Sequence, residues 1–441
     1  MTRDDLLHFT KPVVRRAMDR DWRVLCERIG ERRAGTPAET QAAEFIAREF
    51  RAAGLGDVVL ESFPCTSVRQ ASAEVQVRDG RQWRQVEAEP MVGAPATPGQ
   101  TPIEGDLVWL ELPEQTRRLG PGSLRGRILA WFGPMPTEVK MHRRLLAARP
   151  AAVIHIDERL PFRWPKNDGV YPYWSDRYGM PPMLTVPYAE AWRWRRDGLR
   201  RVRVRVVAEQ VVCDSHNVIA ELRGAEPELP AIVLSAHHDT QRNNPGADDN
   251  ASGVICLLAL ARNLAAHRET WKRTLRFISF GTEEQLSVGA NAYVRRHRTS
   301  AANTGLVLNF DSVASPLGHF VLSVAGGDTL ARFAERQLVL RDLAVQVVQE
   351  VTPFADQFPF NRAGVPSLLF SRTNFPGGRW QHHSRYDTLE NVSVDAVRRL
   401  LHAARPLVAV LATQRAWPFL SALPPDQQRT AHRFGRELFG G

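Results

Sequence analysis

The feature that most constrains the fold is a change of rhythm after residue 215. From there apolar strands and helices alternate: "AIVLSA" (231–236), "GVICLLALARNLAA" (253–266), "LRFISF" (275–280), "SVGANAYVRRH" (287–297), "TGLVLNF" (304–310) and "VPSLLFS" (365–371). Strands that are apolar at successive positions belong in a sheet covered on both faces, and helical crossovers let neighbouring strands run parallel. The reading is an α/β fold: a mostly parallel central sheet with helices on both faces.

The chain before this point divides in two. Residues 13–62 read as helix, turn, helix, strand; "AETQAAEFIAREFRAAG" (38–54) is apolar at helical spacing and closes on Gly54. From about 66 to 210 the chain is rich in strands and turns ("ASAEVQV", "GDLVWLEL", "GRILAWFG", "AAVIHID"), which predicts an inserted, smaller β-rich domain. Within it, "WPKNDGVYPYWSDRYGMPP" (164–182) reads as a packed surface loop. The expected plan is a first segment at 13–65, the insert at 66–210, a second segment at 211–415 and a tail at 416–441. That tail is expected to add little to the core.

Net charge is +10, from 58 basic and 48 acidic residues. The densest basic stretch is "WRWRRDGLRRVRVRVV" (192–207), where Arg201, Arg203 and Arg205 alternate with Val202, Val204 and Val206. A period of two is that of a half-buried strand with a solvated face. No zinc finger, RNA-binding sheet signature or basic heptad accompanies it, so no nucleic-acid partner is expected. "VICLLALA" (254–261) falls far short of the ~20 residues of a membrane span, and "MTRDDLLHFTKPVVRRAMDRDW" has no signal-peptide core. No membrane partner is expected. The four cysteines lie far apart without CxxC spacing and read as reduced thiols, which points to the cytoplasm.

Charged groups and imidazoles collect just beyond the strands. His237, His238 and Asp239 follow the first; Asp248 and Asp249 precede the apolar helix; Glu283 and Glu284 follow the next strand; Asp311 follows "TGLVLNF". His382, His383 and Asp387 lie in the loop after the last. In an open parallel sheet, ligands bind beyond the carboxyl ends of the strands. So many carboxylates at one edge repel one another unless cations sit among them. Two imidazoles with three or four carboxylates exceed what one tetrahedral zinc takes and fit two metals sharing a bridging carboxylate. The residues alone leave the choice within His237/His238, Glu283/Glu284 and His382/His383 open.

These motifs resemble those of the two-zinc peptidases that include bacterial leucyl-type aminopeptidases and glutamate carboxypeptidase II. "AHHDT", "PGADDNASG", "FGTEEQLSVGA", "NFDSV" and "HHSRYDTLEN" match in order and spacing. "RGRILAWFG" and "GMPPMLTVPYAEAWRW" are similar to the protease-associated domain that many members insert. The resemblance implies a zinc exopeptidase fold and two divalent ions, zinc in kind. It makes His237, Asp249, Glu284, Asp311 and His383 the ligands, with Asp249 bridging. It implies Glu283 as catalytic base, Asp239 orienting His237 from behind, Asp387 steadying the last loop, and a cis peptide between Asp249 and Asn250. The activity implied is hydrolysis of a peptide substrate, an aminopeptidase releasing N-terminal residues. The alternatives are a carboxypeptidase or dipeptidase, a cyclase of N-terminal glutamine, and a non-catalytic scaffold. Oligomeric state is not readable.

Overall fold

Seven strands of the sheet carry the argument: β1 (Arg201–Leu222), β2 (Ala231–His237), β3 (Leu275–Phe280), β4 (Thr304–Phe310), β5 (His319–Ala325), β6 (Val345–Gln349) and β7 (Ser367–Thr373). The computed structural model describes residues 14–157, 163–374 and 378–441. Residues 1–13, which include part of the stretch read for a signal core and the first residue of the expected first segment, lie outside them.

The strands stand in the order β6–β5–β7–β4–β2–β3–β1. β3 and β4 each run parallel to β2, and β7 runs parallel to β4. Their carboxyl ends therefore share one edge. β5 is antiparallel to β7 and parallel to β6, and β1 is antiparallel to β3. β5 and β6 were not legible as strands. β6 is half exposed along its length and interrupts its valines with glutamines, so it lacks the apolar run that betrays the central strands.

β2 and β4 are buried at every position. Alternation sorts their side chains: Ile232, Leu234 and Ala236 enter the main core, while Val233 enters a second cluster with Ile278, Phe280, Tyr293 and Phe360. The main core is closed by α1 (Arg15–Arg23), α2 (Pro37–Ala52), α3 (Gly253–Ala265) and α4 (Val394–Thr413). α3 is buried except for Arg262 and Asn263. It can come this close because Gly253 has no Cβ; one there would strike the carbonyl oxygen of Phe310.

Strands β2 to β7, the later half of β1 and these helices form one compact unit, the described residues up to Cys65 with Cys213–His432. A second comprises Thr66–Val212 and Arg433–Gly441. In it the strands Ile103–Leu110, Ile128–Phe132, Ala152–Ile156 and Met183–Thr185 are successive parallel neighbours. Helices Val139–Ala148, Pro172–Tyr178 and Tyr188–Arg196 are interspersed among them, where the composition pointed to strand alone. Part of the expected loop 164–182 is thus helical: Trp174 is fully buried and stacks on His142 at 4.7 Å, and burying that indole orders the segment. The basic strand face is balanced. Val202, Val204 and Val206 point into the core, while Arg201 meets Glu104 at 2.9 Å and Asp106 at 3.1 Å, Arg203 meets Glu104 at 3.0 Å, and Arg205 meets Glu74 at 2.8 Å.

The tail departs from expectation. Phe419 joins the main core against Phe333, ring centroids 5.3 Å apart. Residues Pro425–Phe439 form an amphipathic helix whose Ala431 and Leu438, seven apart and so on one face, are both buried. No helix among the described residues is long and apolar enough to cross a membrane.

Candidate metal centre

His237, Glu283, Glu284 and Asp311 stand at or just past the ends of buried strands, while Asp249, His382 and His383 come from loops. β2 ends at His237, whose Nε2 lies 3.2 Å from Asp249 Oδ1, 3.8 Å from Glu283 Oε2 and 3.9 Å from Asp311 Oδ1. His238, one residue on, turns the other way. Its Nδ1 is 3.0 Å from Ser279 Oγ, and burial pulls its pKa down to about 3. The single-residue offset at a strand end decides which of the two imidazoles meets the acids.

Asp249 stands in the turn before α3, and the Asp249–Asn250 peptide is cis. Its Oδ1 faces His237, while its Oδ2 is 2.8 Å from His382 Nδ1 and 3.5 Å from His383 Nε2. One carboxylate thus touches imidazoles from both sides. His383 Nε2 also lies 3.0 Å from Glu284 Oε2. Donor atoms of His237, Asp249 and Asp311 fall within 4.8 Å of one another, and so do those of Asp249, His382 and His383. The structure brings His237, Asp249, Glu283, Glu284, Asp311 and His383 into one cluster, together with His382.

The two remaining acids grip backbone. Asp239 sits beside His237, with its backbone oxygen 3.2 Å and its Oδ1 3.4 Å from Nδ1. Its carboxylate also accepts the N–H groups of Glu283 (2.9 Å) and Glu284 (3.2 Å). Asp387 accepts those of Asp248 (2.6 Å) and Asp249 (2.9 Å). Its grip is on the turn that carries Asp249, beyond its own loop, where the sequence reading had placed its effect. Asp248, the other half of the acidic pair, is occupied by the N–H of Ala314 and by Gln381.

The electrostatics are those of an acid-rich pocket. Burial raises Glu283 well above the usual carboxylate range and raises Glu284 and Asp311 too. Burial opposes the charge of His237, yet hydrogen bonds to Asp239 and Asp249 prevail and hold its pKa well above normal. Asp249 is held well below the usual range despite burial, by bonds from His237 and His382. Acids outnumber cations in such a cluster, and mixed imidazole and carboxylate donors suit divalent ions of the zinc type. The residues fit the metals that the motifs imply.

The sequence reading missed three participants. Arg379 approaches Asp249 Oδ2 at 3.6 Å. Asp356, in "ADQFPF", is fully buried, and burial together with the charges of Asp239 and Asp311 raises it well above its usual range. Arg32 is fully buried and donates to the carbonyls of Leu25, Gly30, His238, Pro245 and Gly246. An acid inside an apolar run was a usable signal for Asp356. Nothing in the local pattern marks Arg32, whose partners are backbone.

The fold and this donor set define an α/β protein built around a histidine–carboxylate cluster at the strand ends. Comparison gives the family it resembles: residues 217–408 match the model of Peptidase family M28. Probable leucine aminopeptidase 2 of Aspergillus fumigatus is 36% identical over 115 residues, 26% of this chain and 22% of its own. Carboxypeptidase Q of Xenopus laevis is 29% identical over 182 residues, 40% of this chain and 37% of its own. The chain thus spans only a minor part of either relative. Among solved structures, BSAP, a zinc aminopeptidase from Bacillus subtilis, aligns with a TM-score of 0.71 at 20% identity, covering 94% of this chain and 99% of that one. A likeness at that identity is one of fold.

Proposed function

We propose that the protein is a metal-dependent exopeptidase that uses two divalent ions, zinc in kind, and releases N-terminal residues from peptides. The observation that carries this reading is the shared carboxylate of Asp249, flanked by His237 and Asp311 on one side and by His383 on the other. His237 and Asp311 would hold one ion, Glu284 and His383 the other, and Asp249 both. His383 is chosen over His382 because it also reaches Glu284. Two ions so held supply Lewis acidity, lowering the pKa of a water and polarising the substrate carbonyl.

The chain's own groups do the rest. Glu283 faces the cluster without a ligand's duty, accepts a proton from the attacking water and returns it to the leaving amine. Asp239 fixes the direction of Glu283 and Glu284 through their N–H groups, and Asp387 fixes that of Asp249. We further read the second unit as a protease-associated-like domain. The four free cysteines suit a reducing compartment such as the cytoplasm.

The likeness to carboxypeptidase Q favours a second reading, cleavage at a free carboxyl end. A panel of peptides with free or blocked termini, assayed with and without chelator, separates the two. Chelator-sensitive release that requires a free N-terminus supports the first. Release that tolerates a blocked N-terminus and requires a free C-terminus replaces it with the second. Chelator-insensitive turnover, or none, overturns the metallopeptidase reading.

A further inference from the structure

The turn that presents Glu283 is held from two sides, and one of its holders lies outside the cluster. Thr282 (φ 56°), Leu286 (66°) and Ser287 (51°) all stand in the left-handed region that L-residues rarely adopt. A turn of that shape persists only where its surroundings fix it. Asp239 takes the N–H groups of Glu283 and Glu284. Just before Thr282, Gly281 is packed directly against the Glu39 carboxyl.

Glu39 is the third residue of α2 and is fully buried. Its carboxylate also accepts from Gly35 N at 2.6 Å and from Ser215 Oγ in a short bond. It packs so tightly on Gly281 that a Cβ added there would lie 2.6 Å from Oε1. The ordinary role of a glutamate here is half of a capping box, and Thr36 Oγ1 indeed accepts the N–H of Glu39. A cap needs neither the bond to Ser215 nor the packing across onto Gly281. Capping is also done as well by an exposed side chain, at far lower desolvation cost.

We propose that Glu39 is a positioning residue for the hydrolytic reaction, holding the Gly281–Glu284 turn so that Glu283 faces the metal-site donors. This rests on the exopeptidase reading, in which Glu283 is the base. The turn is thereby held at Gly281 by a buried side chain from α2 and at the N–H groups of Glu283 and Glu284 by a buried carboxylate from the loop after β2.

The test compares Glu39→Gln and Glu39→Asp with Thr36→Ala in the full chain loaded with zinc. Glu39→Gln keeps the volume and replaces one carboxyl oxygen with an amide donor; Glu39→Asp keeps the carboxyl group and withdraws it. Both should lower kcat about 10- to 100-fold, the cost of a small misplacement of a reacting group, with KM nearly unchanged and metal content equal to the parent's. Thr36→Ala should lower the melting temperature and leave kcat alone. Hydrogen exchange over residues 279–287 should show lost protection in both Glu39 variants and none lost in Thr36→Ala. Parent-like kcat and parent-like exchange in the Glu39 variants overturn the proposal, as does an equal loss of kcat in Thr36→Ala. A parent chain that cleaves neither class of peptide sinks the exopeptidase reading instead, and exchange over residues 279–287 still reports whether Glu39 holds the turn.

Discussion

Two regions of this molecule are crowded with charge, and they behave in opposite ways. On the strand face of Arg201, Arg203 and Arg205 every cation has a carboxylate within 3.1 Å, and the face meets solvent. Water screens what the pairing leaves, so such a face contributes little to stability and nothing to chemistry. At the strand ends Asp249, Glu283, Glu284 and Asp311 lie around His237 and His383, shielded from solvent and dominated by one sign. There the imbalance cannot be screened, so it must be met by protons or by metal. Density of charge is a poor guide to function; unbalanced charge under burial is a good one.

The sharpest way to break that contrast is to remove its centre. Asp249→Ala should abolish hydrolysis and lose both ions together, measured as metal equivalents after gel filtration; retention of one full equivalent argues against bridging. Glu283→Gln should keep both ions while kcat falls about 10²–10⁴-fold. If Glu283→Gln loses metal and Glu284→Gln keeps it, the roles of the pair are exchanged. Asp387→Asn leaves a buried N–H of Asp248 or Asp249 poorly accepted, at a cost of about 1–3 kcal/mol read from denaturant unfolding.

Glu39 supplies a pH signature. Burial, then the charge of Asp239, pushes it up to about 8, against hydrogen bonds from Ser215 and Gly35; His238 and Cys65 also face it. Between the ordinary value of 4.5 and about 8 the unfolded chain has released a proton that the folded chain retains. Folding stability from this group is therefore complete at low pH and declines as pH rises through that window. The melting temperature of Glu39→Gln relative to the parent should climb from pH 5 to pH 8; a flat difference contradicts the raised value. Last, Arg203→Ala on the balanced face should leave melting temperature and kcat both unchanged.

How far the sequence reached depended on whether a residue's partner was local. Strands β2, β3, β4 and β7 were legible because an apolar run bounded by loops has few other uses, and the acids beyond them were legible as a group for the same reason. His237 and His238 were not separable from chemistry, since a strand end turns neighbours to opposite faces and only the register tells which is which. The hold of Asp387 on the Asp249 turn joins positions 138 residues apart through backbone N–H groups that no side-chain pattern announces. Trp174 ordered a helix inside a stretch rich in proline and aromatics because burial of one large ring outweighed the local breakers. The edge strand β6, half exposed, gave no apolar signal.

The five carbonyl bonds of Arg32 carry a consequence in time. Three of its partners, His238, Pro245 and Gly246, lie 206 to 214 residues further along the chain. The loops on either side of His237 and Asp249 therefore close only when a segment made early in synthesis docks onto strands made late, the slowest kind of contact to form. A growing chain has no finished histidine–carboxylate cluster. Chains released before residue 246 should leave the amides of Gly30–Ala34 unprotected from exchange, and the full chain should protect them last during refolding.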